Sequence, residues 1–101
     1  MNEKEIQSFP AEKGVIQLAV PYTTLSGQHI ESVTMRAPTV RDRLMRNRNP
    51  APDYQADIEL MASLCGMTLD DLMNMEACDY LRLEKQFNNF LLPPAKRKTT
   101  V

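Results

Sequence analysis

The chain has 101 residues, of which 43% are hydrophobic and 25% are charged, and this composition is typical of a globular protein rather than a disordered one. Because single domains usually take about 100 to 200 residues, we expect one domain with one core. The net charge of −1 hides a segregation along the chain, since residues 36–48 are basic and residues 53–84 are acidic.

Two alternating segments predict an antiparallel β-hairpin. Every second residue is apolar in the segment 15–20, and Pro21 is expected to stop this strand. Residues 25–28 supply turn chemistry, and a β-branched, alternating pattern resumes over residues 30–35. Because a lone hairpin is unstable in water, its apolar face must pack against helices or against a strand of another chain.

A first short helix is predicted after the hairpin. Pro38 ends the second strand, and Thr39 with Asp42 matches a capping box, in which each side chain bonds to the other residue's amide. Val40 and Leu44 lie one turn apart, so we expect them on the inner face of this helix.

Two further helices follow the loop at residues 49–52. Asp53 is expected to cap the second helix and Gly66 to end it, since glycine is suited to a helix C-terminus. Thr68 and Asp71 repeat the capping pattern at the start of a short third helix. The residues expected to face the core are Tyr54, Ile58, Met61 and Cys65 in the second helix, and Leu69, Leu72 and Met73 in the third.

The fourth helix, from about residue 77 to residue 91, has the clearest helical pattern in the chain. A hairpin and four short helices offer little shielding for its apolar side, so we expect part of this surface to be left for a second polypeptide. The candidate protein-binding residues form one stripe along it: Tyr80, Leu83, Phe87, Phe90 and Leu91.

The predicted fold is therefore α+β, with an N-terminal antiparallel β-hairpin followed by a small bundle of three to four helices. Residues 15–92 form the predicted domain, and residues 1–14 are expected to be flexible. Residues 93–101 begin with two prolines and continue with a basic group that has no apolar periodicity, so we expect a disordered basic tail.

No segment of the sequence is suited to crossing a membrane or directing secretion. The longest nearly apolar stretch, residues 60–69, has half of the roughly 20 residues that a spanning helix needs. Glu3 and Glu5 lie where a secretory signal would carry basic residues. We therefore expect the protein to stay where it is made, with Cys65 and Cys78 as buried free thiols.

No arrangement of side chains indicates catalysis, a cofactor or a metal. His29, Cys65 and Cys78 have unrelated spacings and are one ligand short of a closed zinc site. Asp70 and Asp71 are neighbours on a helix and point about 100° apart, which does not suit a general acid and base pair. We expect a non-enzymatic protein with no catalytic residues and no cofactor.

Duplex DNA is the alternative partner that the helix pattern leaves open. The second helix, the turn at Gly66 and the third helix have the lengths of a helix-turn-helix, so a small DNA-binding regulator remains an alternative. Asp70, Asp71 and Glu76 argue against it, because a recognition helix faces phosphates. Salt-sensitive binding to duplex DNA would distinguish this alternative.

Four segments follow one another at a spacing typical of one family: residues 35–42 (MRAPTVRD), 64–72 (LCGMTLDDL), 79–83 (DYLRL) and 90–91 (FL). Over roughly residues 15–92 the chain resembles the small tail assembly chaperones of Mu-like and P2-like contractile-tailed phages. The loop at residues 49–52 and the arginine-rich first helix depart from that pattern. The motif residues that carry the resemblance are Pro38, Thr39, Asp42, Gly66, Thr68, Asp71 and Asp79.

The resemblance implies that the protein holds the long, helical tape-measure protein of a phage soluble while tail-tube subunits assemble around it. The implied partners are the tape-measure protein, the tail-tube protein and a frameshifted longer form of the chain itself, with self-association as a further possibility. Nucleic acid and membrane are not expected as partners. The implied location is the cytoplasm of the bacterial host cell, and the protein would be absent from the mature virion.

Overall fold

The computed structural model describes residues 12–98, and its elements follow the predicted order of a hairpin and four helices. This confirms the α+β class. The strands are β1 (Lys13–Thr23) and β2 (His29–Arg36), and the helices are α1 (Val40–Arg48), α2 (Asp53–Leu64), α3 (Leu69–Met73) and α4 (Ala77–Phe90), followed by a 3₁₀ turn at Pro94–Lys96.

The two antiparallel strands are interrupted by a wide bulge in β1. Gln17 pairs with Ser32 and Tyr22 pairs with Ile30, so that residues 18–21 lie opposite a single residue of β2. Such bulges bend a strand and leave backbone amides without a partner in the ladder. These amides are where the hairpin is joined to the helices.

Pro21 lies inside this bulge and does not end the strand, because β1 continues to Thr23. The prediction of a strand end at Pro21 is therefore wrong. Proline has no amide hydrogen to donate, and a bulged position is one of the few places in a strand where none is required. The turn follows at residues 24–28, where Gly27 has φ +93°, a conformation that favours glycine.

The core lies between one face of the hairpin and helices α2, α3 and α4. Met35 of β2 and Leu83 of α4 are fully buried at its centre. Helix α1 contributes no apolar side chain to this cluster. The buried members of this cluster are Ile16, Leu18, Val33, Met35, Ala37, Met61, Ala62, Leu64, Leu72, Met75, Leu83 and Phe90.

Helix α1 begins as predicted but turns the opposite face to the protein. Val40 is 83% exposed and Leu44 is 46% exposed, whereas Asp42 is the buried residue of this helix. The expected inner face was therefore wrong. Two apolar residues one turn apart predict the inner face of a helix only if the helix is held by apolar packing. Helix α1 is held instead by polar contacts of Asp42 and its neighbours.

Among the residues predicted to face inward in α2 and α3, the exposed ones are Tyr54 and Met73. Ile58, Met61 and Cys65 pack in or against the core, but Tyr54 in the first turn of α2 is exposed. Asp53 is the first residue of α2 and not its cap, because the N-cap is Pro52. In α3, Leu72 is buried and Met73 is exposed, because the next residue on a helix points about 100° away.

The segment predicted as a disordered tail has contacts in the part that the structure describes. The Arg97 guanidinium lies 5.4 Å from the centroid of the Phe90 ring and donates to the Phe90 and Leu92 carbonyls, each at 2.9 Å. Asn89 and Lys98 exchange two hydrogen bonds. Residues 93–98 thus differ from the prediction because Arg97 caps the free carbonyls at the end of α4.

Residues 99–101 of that tail, and residues 1–11 of the predicted flexible N-terminus, lie outside the described residues. The last two residues of the predicted N-terminus, at 13 and 14, belong to β1.

Candidate protein-binding surface

The start of α4 is joined to the hairpin by Asp79, whose side chain is fully buried. One carboxylate oxygen accepts a hydrogen bond from the Ala19 amide at 2.8 Å and the other from the Val20 amide at 3.0 Å, which are two amides of the bulge. Arg82 lies 3.5 Å from the same carboxylate and also donates to the Gln17 carbonyl. Burial alone would raise the pKa of Asp79, but these hydrogen bonds hold it below its usual range.

The five candidate residues of the predicted stripe on α4 differ in burial and fall into core residues and surface residues. Leu83 and Phe90 are buried in the core of the chain itself and are not accessible to a partner. Tyr80 and Phe87 are half-buried against that core, and Leu91 is 49% exposed. Of the five candidate residues, Tyr80, Phe87 and Leu91 are therefore the ones whose surface a second protein could contact.

Phe87 lines an open groove of about 410 Å³ between α1, α2 and α4. Leu60, Met61 and Phe87 supply its apolar side chains, and charged groups of both signs surround them. An apolar centre with a polar rim is the usual anatomy of a protein–protein interface. The polar lining residues are Arg43, Arg46, Asn47, Asp57, Glu84 and Asn88.

Tyr80 carries a phenol that stays protonated in the folded protein. Burial raises the pKa of Tyr80 to about 12, and the carboxylates of Glu84 and Asp57 add to this shift. Tyr80 therefore offers a partner a neutral ring and hydroxyl at neutral pH.

Helix α1 is attached to β2 by a charge pair. Arg36 donates from both terminal nitrogens to the two carboxylate oxygens of Asp42, each at 2.8 Å. Asp42 also accepts the Thr39 amide at 2.7 Å, and the Thr39 hydroxyl accepts the Asp42 amide, so the predicted capping box is present. The hydrogen bonds from Arg36 lower the pKa of Asp42 from 3.8 to about 2, although burial opposes the shift.

This shift predicts a loss of stability in acid. A carboxyl whose folded pKa is depressed stabilises the protein above its unfolded pKa of 3.8, and this stability is lost as the pH falls to about 2. The contribution is about 2 kcal/mol. In urea unfolding, wild type should exceed Asp42→Asn in stability at pH 6, and the difference should shrink between about pH 4 and pH 2. A difference that stays constant over this range would contradict the assignment.

Two further polar contacts hold α1 against α2. Arg46 donates to Asp57 at 2.9 Å, and Asn49 donates to Glu59 at 2.7 Å. These contacts, together with the Arg36–Asp42 pair, direct the polar side of α1 inward and its apolar pair outward. The sequence pattern identified this pair but placed it on the inner face, so its outward orientation was not predicted. The sequence signal for this orientation is Asp42, the acidic residue of the capping box, with Arg36 six residues earlier.

The remaining motif residues shape the junction between α2 and α3. Gly66 ends α2 with φ +66°, and Thr68 accepts a hydrogen bond from the Asp71 amide at 3.1 Å to start α3. The Asp71 carbonyl accepts the Tyr22 hydroxyl at 2.7 Å, which joins α3 to β1. Pro38 is half-buried between β2 and α1. These residues are therefore structural.

The helix-turn-helix alternative gains no support from this junction. Helix α3 has five residues and carries Asp70 and Asp71 in its first turn. The negative charge of α3 would be repelled by the phosphates that line a DNA groove.

The described residues contain no group of three or more His, Cys, Asp and Glu side chains that could hold a metal ion. Cys65 is half-buried and Cys78 is exposed, and both are free thiols, so the expected burial of Cys78 was wrong. Burial raises the pKa of the Cys65 thiol to about 12, which keeps it in its unreactive protonated form. Within residues 12–98, every helix is too short or too polar to span a membrane.

Comparison with known proteins identifies a family whose profile matches this chain. The sequence profile of the family described as "Phage tail assembly chaperone proteins, E, or 41 or 14" matches residues 15–92, which is most of the chain. No curated protein and no solved structure matches significantly. The matched range contains the hairpin except for the first two residues of β1, the four helices and all the motif residues named above. The chain therefore belongs to the phage tail assembly chaperone family.

Proposed function

We propose that this protein binds the tape-measure protein of its phage and keeps it soluble while the tail tube assembles. It acts without catalysis, in the cytoplasm of the bacterial host, and is absent from the mature virion. Membership of the tail assembly chaperone family supports the general role. The observation that carries the specific proposal is the groove in which Phe87 is only half-buried.

The groove suits a reversible contact with an amphipathic helix. A long helical protein exposes apolar faces until its assembly partners cover them, and a chaperone has to cover such faces without holding them permanently. Leu60 and Phe87, which are both half-buried, offer apolar contacts, whereas Met61 also lines the groove but is buried in the core and offers a partner little surface. The charged rim keeps the empty groove hydrated, which limits the affinity of each contact.

Replacing Phe87 by alanine should lower the amount of soluble tape-measure protein recovered on co-expression by about tenfold, since truncating a central interface aromatic commonly removes 1 to 2 kcal/mol or more of binding free energy. Co-purification of the two proteins from the soluble fraction measures this loss. Circular dichroism should show the helices of the variant intact, because one side of Phe87 faces the groove.

Leu81→Ala is the matched control, since Leu81 is exposed on α4 but does not line the groove. It should leave recovery unchanged. Equal recovery with wild type and folded Phe87→Ala would contradict the role of the groove. Failure of wild type to increase the soluble tape-measure protein would contradict the proposed function itself.

A further inference from the structure

We infer that the outward face of α1 docks an acidic amphipathic helix of the partner, which extends the binding surface beyond the groove. This inference rests on the proposed function, because it describes the chemistry of the segment that the partner presents. The face, called the α1 ridge here, consists of Val40 and Leu44, with Arg41, Arg43 and Arg48 around them.

The apolar part of the α1 ridge is unusually open. Val40 is the most exposed of the large hydrophobic residues in the described chain, and Leu44 follows one turn later on the same side of the helix. Two apolar side chains with this spacing fit between the side chains of a second helix. Covering them would remove apolar surface from water, which favours association.

The charged part of the α1 ridge is of one sign. Arg41, Arg43 and Arg48 are exposed, and within residues 12–98 none of them forms an ion pair. The acid of α1, Asp42, points inward to Arg36, and Arg46 is paired with Asp57. The fold thus sorts the charges of α1, so that those left outside are all positive.

Helix stability accounts for Arg48, which lies in the last turn, where the helix dipole favours a cation, but it does not account for Arg41 and Val40. Arg41 lies in the first turn, where the positive end of the helix dipole makes a cation unfavourable. Val40 covers little apolar surface of its own chain. Both residues are explained if the face is complementary to a partner that carries acidic side chains on either side of an apolar stripe.

The neighbouring groove favours a protein partner over a phosphate-bearing one. Arg43 belongs to both the ridge and the groove, so the two surfaces are continuous. Glu84, which lines the same groove from α4, has no ion pair within residues 12–98 and would repel nucleic acid or an anionic membrane. An acidic helix can place its carboxylates over the ridge and its uncharged residues over the groove.

The test uses two synthetic helical peptides with leucine at every third or fourth position, one with glutamate and one with lysine at the flanking positions. Fluorescence anisotropy with the full chain should give a Kd about tenfold lower for the glutamate peptide, and this preference should weaken as salt is added. The double variant Arg41→Glu with Arg48→Glu should reverse the preference. Val40→Ser with Leu44→Ser should weaken binding of both peptides.

The control is Leu25→Ser with Leu81→Ser, which removes two exposed leucines away from α1. It should bind like wild type. Equal affinities of the two peptides, or an equal loss in the control, would overturn the inference. Three other results would also overturn the inference. A dimer that the ridge variants dissociate would show that a second copy covers the ridge, and tighter peptide binding after removal of residues 1–11 would show that this segment covers it. Binding of duplex DNA that depends on the ridge would show that the partner is a nucleic acid.

Co-expression separates this inference from the proposed function. If wild type and the Val40→Ser with Leu44→Ser variant solubilise the tape-measure protein equally well, the ridge inference fails and the proposed function stands. If wild type does not solubilise it, the proposed function fails whichever peptide binds the ridge.

Discussion

Replacing Asp79 by alanine should lower the free energy of unfolding by about 3 kcal/mol, since each of the two amide hydrogen bonds to this carboxylate contributes roughly 1.5 kcal/mol or more. The substitution leaves the Ala19 and Val20 amides without their partner and removes the contact that orients α4 on the hairpin. Urea denaturation followed by circular dichroism measures the change as a lower midpoint.

Asn is the informative second substitution at this position. Asp79→Asn keeps the size of the side chain but has one oxygen, so it can accept one of the two amides, and we expect a loss of about half that of alanine. Asp70→Asn is the matched control, because Asp70 is exposed in α3, and its effect should stay within about 0.5 kcal/mol. Equal effects at both positions would show that the carboxylate of Asp79 does not join α4 to the bulge.

Replacing Phe90 by alanine should destabilise the protein by about 4 kcal/mol, the range found for a buried aromatic ring. Phe90 is 4% exposed and packs in the core, with the Arg97 guanidinium over its ring. Such a loss is comparable to much of the stability of a small domain, so the variant should be largely unfolded at 37 °C. Thermal unfolding measures it.

Phe87→Ala gives the contrast on the same helix. It should cost clearly less stability than Phe90→Ala, because Phe87 is half-buried and faces the groove. We therefore expect Phe90→Ala to have the larger effect on stability and Phe87→Ala to have the larger effect on capture of the tape-measure protein. Similar stability losses for both rings would contradict the division of the α4 stripe into core and surface.

Local chemistry made the order of elements predictable. The capping box at Thr39 and Asp42 and the stop at Gly66 depend on neighbouring residues, and both are present in the structure. The role of Asp79 was not predictable in this way. Its partners are two amides of a bulge about sixty residues earlier in the chain, and a hydrophobic pattern does not show where a strand bulges.

Periodicity also could not separate the core from a surface that meets a partner. It placed Leu83, Phe87 and Phe90 on one stripe of α4, but such a stripe spans roughly 100° or more of the helix, so its middle and its edge meet different surroundings. On α1 the same reasoning gave the wrong face. The pair of Val40 and Leu44 is as regular as a core pair, but polar contacts of α1 with Arg36 of β2 and with α2 turn it outward.

The polar attachment of α1 has a consequence for how the groove behaves mechanically. One wall of the groove, α1, adds no apolar side chain to the core, whereas the opposite wall, α4, is fixed by Leu83 and Phe90. Swinging α1 away would break ion pairs and hydrogen bonds that water can replace, and the rest of the domain would stay folded. We therefore expect the groove to widen or narrow by movement of α1 alone, which under the proposed function would let it fit segments of different width along one tape-measure protein.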